Sequence, residues 1–157
     1  ARMLNPTQLQ DAIYTATAKP GNFGSKATKA SMSMQLIDPA HASREVAEMM
    51  RAFGQVSRDE MPKRSHTSSL QAMLMMNSKV VLDRVKAEGD SQVDQLLNSG
   101  NADNQSLITK LYLATLSRDP LEGEMRIAMR ELERDRKKGL ENLQWALLNS
   151  PEFLFNY

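Results

Sequence analysis

The sequence contains no cysteine. Disulfide bonds, thiolate nucleophiles, thiolate metal sites and covalent haem attachment through a Cys-x-x-Cys-His motif are therefore excluded within this chain. The absence does not indicate a compartment, because a domain without cysteine is stable on either side of a membrane.

Residues that make turns and sheets are also scarce. The 157 residues include 7 Gly and 6 Pro, and aromatic residues make up 5%. A β-sandwich or barrel of this length would need more turn, β-branched and aromatic residues, so the composition favours an all-α fold. We expect one helical domain over 1–157, with a core of Leu, Ala, Val, Ile and many of the 11 Met.

The chain lacks both a dominant charge and a long apolar run. Its formal net charge is +1, which provides no strong field for attracting nucleic acid or an acidic membrane surface. Nowhere do about 18 apolar residues follow one another, so no membrane span is expected. The sequence opens Ala1-Arg2-Met3 directly before a helix signal, which is typical of a cut or processed piece of a larger protein.

Apolar periodicity predicts an irregular bundle of about six to seven helices. We expect them at about 6–18, 41–53, 69–88, 92–98, 104–117, 120–138 and 140–149. A break is expected inside the third range, near Asn77 and Ser78, because Asn77 falls on its apolar face.

Two cap signals bound the sixth predicted helix, at 120–138. Asp119 is expected to be its N-cap, followed by Pro120 at the first helical position and Glu122 at the third. Gly139 is expected to end it, so that a last helix begins at Leu140. A further cap, Ser150, should start a short turn that contains Glu152.

Two segments without helical periodicity separate the early helices. The first, 19–39, is expected to be a long loop that turns Met32 and Met34 into the core, although alternation with Ser33 would also suit a short strand. The second, 55–67, is polar and should be a surface loop or a binding segment.

No catalytic, cofactor or metal motif is present. His41 and His66 lack ligand spacing, so a metal site would need carboxylates from distant positions. There is no Gly-x-Ser-x-Gly sequence and no glycine-rich phosphate loop. We therefore predict no catalytic residue, cofactor or metal within the chain.

The run from Arg134 to Lys138 is the most basic stretch. It could contact nucleic acid, but acidic residues interleave with it and basic residues also offset the dipole at a helix C-terminus. Met73, Met75 and Met76 similarly allow two interpretations, core filling or a contact surface, and core filling is favoured.

Several strings resemble one known family. They are Arg51-Ala52-Phe53-Gly54-Gln55 with Arg58, Ser69-Leu70-Gln71-Ala72, Asn77-Ser78, the run from Leu111 to Arg118 with Pro120 and Glu124, and the run from Leu143 to Asn156. Their order and spacing are similar to domain-of-unknown-function family fifteen-fifty-three, common in planctomycetes and related bacteria.

The resemblance implies the C-terminal helical part of a long exported protein, located in the periplasm or at the cell surface. Such proteins often carry a cytochrome c domain, so haem would belong to upstream domains and the partners would be other domains of the parent or a second protein. This chain departs from the family between Arg58 and Arg64, where many relatives have cysteines and it has none. No metal or redox role of those cysteines can be carried over.

The residues that match the family also allow a structural interpretation. Asn77, Asn149 and Gln71 lie near predicted helix ends, where amides bind free backbone groups. Trp145 has a large apolar surface that suits a packing anchor.

Three functional hypotheses follow. The first is a non-enzymatic interaction or scaffolding module. The second is part of an extracytoplasmic, cytochrome-linked enzyme acting on polysaccharide, with a cleft lined by Arg58, Arg64, His66 and Gln71. The third, nucleic-acid binding through Arg136, Lys137 and Lys138, is the least favoured.

Overall fold

Helices make up most of the regular structure in the computed structural model, which describes residues 2–4, 6–21, 23, 32–35, 47 and 77–156. The α-helices in this part of the chain are Pro6–Thr17 (α1), Lys79–Arg84 (α2), Gln92–Leu97 (α3), Asn104–Leu116 (α4), Glu122–Arg134 (α5), Arg136–Leu148 (α6) and Pro151–Leu154 (α7). A 3-10 helix spans Ser33–Gln35, and two short strands are Arg2–Met3 (β1) and Phe155–Asn156 (β2). The architecture confirms the predicted all-α, multi-helix fold.

The two strands join the first residues to the last. They pair antiparallel, Arg2 opposite Asn156 and Met3 opposite Phe155. The Leu4 N–H extends the ladder by donating to the Leu154 carbonyl at 3.0 Å. This pairing closes the bundle and was not predicted, because each strand has only two residues and no alternating pattern.

The first part of the core lies around α1. Its buried side chains come from α1 and from Phe23 after it, from α2 and its C-terminal end, and from the last two helices: Leu9, Ile13, Tyr14, Ala16, Phe23, Val80, Val81, Val85, Leu148 and Phe153. Trp145 is partly buried against this cluster. The stripe of Leu9, Ile13 and Ala16 therefore has the buried face that its spacing predicted.

The second part of the core lies between α3, α4, α5 and α6. Its buried members are Val93, Leu96, Leu107, Ile108, Leu111, Tyr112, Ala128, Leu132, Leu140 and Leu147. Leu116 packs against both clusters. Met125 and Met129 lie only at the margin of the second cluster. Leu, Val, Ile, Ala and aromatic side chains fill the described core. Met73, Met75 and Met76, for which core filling was predicted, lie outside the described residues.

One polar side chain links the two ends of the bundle. Gln144 is fully buried, and its Nε2 donates to the Ala16 carbonyl at 2.8 Å. Ala16 lies in the last turn of α1, where carbonyls lack partners within the helix. Gln144 thus supplies that missing partner from α6.

The junction of α5 and α6 differs from the prediction. The helix expected to run to Lys138 ends at Arg134, because Asp135 adopts an extended conformation. Its carboxylate then accepts from the Lys138 N–H at 2.9 Å and caps α6. Gly139 therefore lies inside α6 and does not end a helix.

Gly139 instead allows α5 and α6 to approach closely. It is buried, and a Cβ atom there would lie 3.0 Å from backbone atoms of Glu131 and Leu132. A glycine that looks like a helix terminator in sequence here lets the backbones of two helices lie close together.

The start of α5 also lies later than predicted. Leu121 is the N-cap residue, so Asp119 and Pro120 precede the helix. Glu124, not Glu122, is the third residue, and its carboxylate accepts from the Leu121 N–H at 2.7 Å. The sequence rule placed the cap at the residue before proline, but the contacts of Glu124 determine the start.

The predicted break near Asn77 is confirmed. Asn77 is helical, whereas Ser78 has an extended backbone, with φ −62° and ψ 126°, and occupies the N-cap position of α2. The helix that follows ends at Arg84 rather than near residue 88. The part of the predicted helix before Asn77 lies outside the described residues.

The segment around Met34 is a 3-10 turn and not a strand. Met34 is 65% exposed, whereas Ser33 is buried. The Asp11 carboxylate accepts from the Ser33 N–H and, at 3.0 Å, from the Met34 N–H. These bonds turn the serine inward, so the prediction that Met34 enters the core is wrong.

Candidate functional site

The residues predicted to line a ligand cleft lie outside the described residues. They are Arg58, Arg64, His66 and Gln71. In the range predicted for the second helix, 41–53, only Ala47 is described, and it is helical and buried. The cleft therefore stays a prediction.

The structural residues singled out in the sequence occupy helix ends and packing positions. Asn149 is the C-cap residue of α6, and its Nδ2 donates to the Trp145 carbonyl at 2.7 Å. Trp145 itself is half-buried. Asn77 is exposed and helical, and Ser78 separates it from α2. Asp119 is exposed and presents its carbonyl to Arg118.

Glu152 belongs to the most extensive polar cluster of the described residues. Arg118 follows α4, Glu124 lies in the first turn of α5, and Glu152 lies in the first turn of α7. The guanidinium binds the Glu124 carboxylate at 2.8 and 2.9 Å. It binds the Glu152 carboxylate at 2.6 and 2.8 Å. We call these three residues the arginine clamp.

The arginine clamp uses every donor of its guanidinium. A fifth bond runs from Nη1 to the Asp119 carbonyl at 2.9 Å, and a guanidinium has five N–H donors. The Arg118 guanidinium also lies over the Tyr112 ring, 5.4 Å from its centre. Arg118 therefore holds three helix ends together and has no donor left for a ligand.

Arg118, Glu124 and Glu152 each stabilise the charged form of the other clamp residues they contact. Hydrogen bonds from Arg118 lower the pKa of Glu124 and of Glu152. The same two carboxylates raise the pKa of Arg118. Burial, reinforced by the nearby Glu124 charge, raises the pKa of Tyr112. All these groups therefore keep their usual ionic forms at neutral pH, as a structural ion pair requires.

A local signal for the clamp was present in the sequence. Arg118 and Glu124 are part of the strings that resemble the known family, and Glu152 follows Ser150 and Pro151 in a cap pattern. Nothing in the spacing indicates that a carboxylate 34 positions after Arg118 meets it. Only the packing of α7 against the end of α4 brings them together.

A second polar cluster lies beneath α1. The Asp11 carboxylate accepts from backbone N–H groups in this cluster. The Ser33 hydroxyl donates to Gln10 Oε1 at 2.9 Å. The Arg84 guanidinium lies 4.5 Å from the centre of the Tyr14 ring, and burial raises the pKa of Tyr14. Among the described residues, the Tyr14 hydroxyl and Gln10 Nε2 make no hydrogen bond. This cluster holds the turn at Ser33 against α1.

Five large apolar side chains are exposed in the described part of the chain: Met34, Leu82, Leu113, Leu121 and Ile127. Two of them, Leu121 and Ile127, belong to the N-cap and body of α5 and are each 65% exposed. The N-terminus of α5 is held by the arginine clamp, and its C-terminus by the close contact at Gly139. Alpha-5 therefore presents apolar side chains from a fixed position.

Neither a metal-ligand cluster nor a membrane-spanning helix occurs in the described ranges. No three His, Cys, Asp or Glu residues among them are grouped so that they could hold a metal ion. None of the described helices combines the length and apolar character needed to cross a bilayer.

Comparisons with known proteins identify a family without a known activity. A family model described as PSD1, protein of unknown function (DUF1553), matches residues 2–132. That range includes α1 to α4 and most of α5, and it stops before the Leu143–Asn156 string. Neither a comparison with curated proteins nor one with solved structures found a match.

Proposed function

We propose that this chain, which belongs to the PSD1 family of proteins of unknown function (DUF1553), is a non-enzymatic helical module that packs against another part of its parent protein. Its partner surface is on α5. The observation that carries the proposal is the exposure of Leu121 and Ile127 on a helix held at both ends.

A fixed surface suits this role. Side chains that are already positioned lose little conformational freedom on association, so more of the contact energy appears as affinity. The arginine clamp, with its donors fully used, contributes to that positioning and offers no donor for substrate. The proposal therefore assigns a supporting role to the strongest charged cluster and a contacting role to the apolar side chains outside it.

Hydrogen–deuterium exchange tests the proposal on the full-length parent and on this chain alone. We expect the α5 amides to exchange more slowly in the parent, because docking suppresses local opening. The α6 amides around the exposed Asn142 should change little. Equal exchange of α5 in both proteins would contradict the proposal.

Two matched variants sharpen the test. Ile127→Lys should return α5 exchange in the parent to the rate of the isolated chain, because a buried lysine at an apolar contact is costly. Asn142→Lys adds the same charge on α6 and should leave α5 protected. Loss of protection in both variants would show that a general charge effect, not an apolar contact, is measured.

The same proposal extends to location and cofactor. It places the parent outside the cytoplasm and assigns haem only to its upstream domains, and the support for both is the family resemblance of the strings described above. The complete parent sequence tests it. A signal peptide with an upstream Cys-x-x-Cys-His motif is expected, and a parent with neither would contradict this extension.

A further inference from the structure

Three arginines form a row along the exposed side of α5. Arg126, Arg130 and Arg134 are spaced four residues apart in a helix of 13 residues, so they lie above one another on one face. All three are exposed. Alpha-5 is also more amphipathic than α1, α4 or α6, and this row lies opposite the buried Ala128 and Leu132.

An apolar side chain lies beside this row. Arg130 and Arg134 follow Ile127 by three and seven positions in α5, so Ile127 lies along one edge of the arginine row. Gly123, one turn before Ile127, leaves open space, since a Cβ atom there would meet nothing within 4 Å. We call Arg126, Ile127, Arg130 and Arg134 the arginine face.

The guanidinium groups of the arginine face are free to bind, in contrast to that of Arg118. Among the described residues, Arg126 and Arg130 have no ion-pair partner. Arg134 pairs only with Glu131, at 3.4 Å and with its side chain 78% exposed. An exposed pair of this kind is weak and exchanges readily for another carboxylate.

From this arrangement we infer that the arginine face binds an acidic protein segment that also carries an apolar side chain. Guanidinium groups bind carboxylates through two parallel hydrogen bonds, which gives both charge and geometric complementarity. An apolar side chain of the partner would cover Ile127, and the open surface at Gly123 would admit its backbone.

A protein partner fits this face better than a nucleic acid. Ile127 offers nothing to a phosphate backbone, and Glu122 and Glu133 flank the arginine row on α5. A continuous polyanion would be repelled by those two carboxylates, whereas a short acidic segment could lie between them. No aromatic residue occurs on α5 for stacking with bases.

This inference rests on the proposed function and names the partner of the same surface. Photo-crosslinking tests it in the full-length parent, with p-benzoylphenylalanine in place of Ile127. The expected product joins position 127 to a segment rich in Asp and Glu that includes an apolar residue, identified by mass spectrometry. The same photoreactive residue in place of Asn142 should not label that segment.

Charge variants of the same crosslinking protein supply the second readout. Combining Arg126→Gln, Arg130→Gln and Arg134→Gln should lower the crosslink yield about tenfold. Combining Lys79→Gln, Lys110→Gln and Lys137→Gln removes the same charge from other exposed positions and should leave the yield within about twofold. Raising the salt concentration should mimic the arginine variant, because exposed charges are screened.

The outcomes separate this inference from the proposed function. A crosslink to an acid-poor segment, to nucleic acid or to lipid would overturn the acidic partner. No crosslink from position 127, together with slowed α5 exchange in the parent, would also overturn it and leave the packing module intact. Equal loss of yield in the arginine and lysine variants would contradict a specific role for the arginine face.

Discussion

Gly139 and Gly123 lie in adjacent helices but have different surroundings. At Gly139 a Cβ atom would lie 3.0 Å from the backbone of α5, whereas at Gly123 it would meet nothing within 4 Å. Backbone atoms cannot move aside as the end of a flexible side chain can. Gly139 therefore allows close packing of two helices, whereas Gly123 only lowers the helix propensity of α5.

We expect opposite effects of alanine at these two residues. Gly123→Ala should raise the free energy of unfolding by about 0.5–1 kcal/mol, because alanine favours the helix. Gly139→Ala should lower it by about 1–2 kcal/mol, since overpacking outweighs the same helix preference. Urea unfolding followed by circular dichroism measures both. A stabilised Gly139→Ala variant would show that α5 and α6 separate at little cost.

At the scale of helices, a single residue divides α5 from α6. Asp135 is extended, and its carboxylate caps α6 through the Lys138 N–H. Asp135 lies within the basic run that was interpreted as offsetting the dipole at a helix C-terminus, so no break was predicted there. The preference of aspartate for N-cap positions was the local signal that the break lies there.

Removing the cap should destabilise α6. Asp135→Ala is expected to lower the free energy of unfolding by about 1 kcal/mol, because the Lys138 N–H loses its acceptor. Asp135→Asn keeps an acceptor oxygen and should cost at most a few tenths of a kcal/mol. Chemical denaturation of the two variants provides the comparison, and equal losses would assign the effect to charge rather than to capping.

The arginine clamp acts between elements, and its strength depends on pH. Glu124 and Glu152 have lowered pKa values in the folded protein. Their stabilising contribution is therefore fully present above the pKa of an unfolded glutamate, about 4.3. It is lost as the pH falls through the lower folded values.

Arg118→Gln tests this dependence. At pH 7 it should lower the free energy of unfolding by about 1–2 kcal/mol, a modest figure because the clamp side chains are 29%, 32% and 42% exposed. The difference from the parent sequence should shrink as the pH falls below the pKa of an unfolded glutamate and through the lowered folded pKa values of the two carboxylates.

Arg126→Gln serves as the control, since Arg126 is exposed and outside the clamp. It should change the stability by less than about 0.5 kcal/mol at any pH. Thermal unfolding between pH 3 and pH 7 measures all three proteins. A constant difference for Arg118→Gln across that range would assign its effect to packing on Tyr112 rather than to the ion pairs.

At the scale of the whole molecule, Gln144 connects residues far apart in the chain. Its amide binds the Ala16 carbonyl across 128 positions, and its Oε1 makes no hydrogen bond in the described structure. The two clusters of the core meet near α6, so this bond helps align α1 with the C-terminal helices.

Two substitutions distinguish the contribution of the Gln144 side-chain volume to stability from that of its hydrogen bond. Gln144→Met keeps the volume and should cost about 1–3 kcal/mol, because the Ala16 carbonyl loses its donor. Gln144→Glu should cost more at pH 8, where a carboxylate would be buried against a carbonyl. Its burial should raise the folded pKa, so the cost should diminish toward pH 4. A pH-independent cost would indicate that the site opens to water.

The sequence predicted the helical fold more fully than the boundaries between neighbouring helices. Alpha-1, α3 and α4 begin where the apolar spacing placed them. The error at Gly139 arose because glycine serves both helix ends and close helix packing, and sequence alone does not distinguish the two. The candidate cleft around Arg58 and His66 stays a prediction, and the arginine face was read in sequence only in part, as the basic run that begins at Arg134.

The sequence by itself determined the helical class, the absence of cysteine chemistry and the family, because composition, spacing and motif strings are local properties. Tertiary structure decided which polar residues are structural. Arg118 meets Glu152, Gln144 meets Ala16 and Gly139 meets Glu131 only after the helices pack. Packing also left Ile127 exposed among arginines, since the contacts that bury or expose a helical face are made by the other elements.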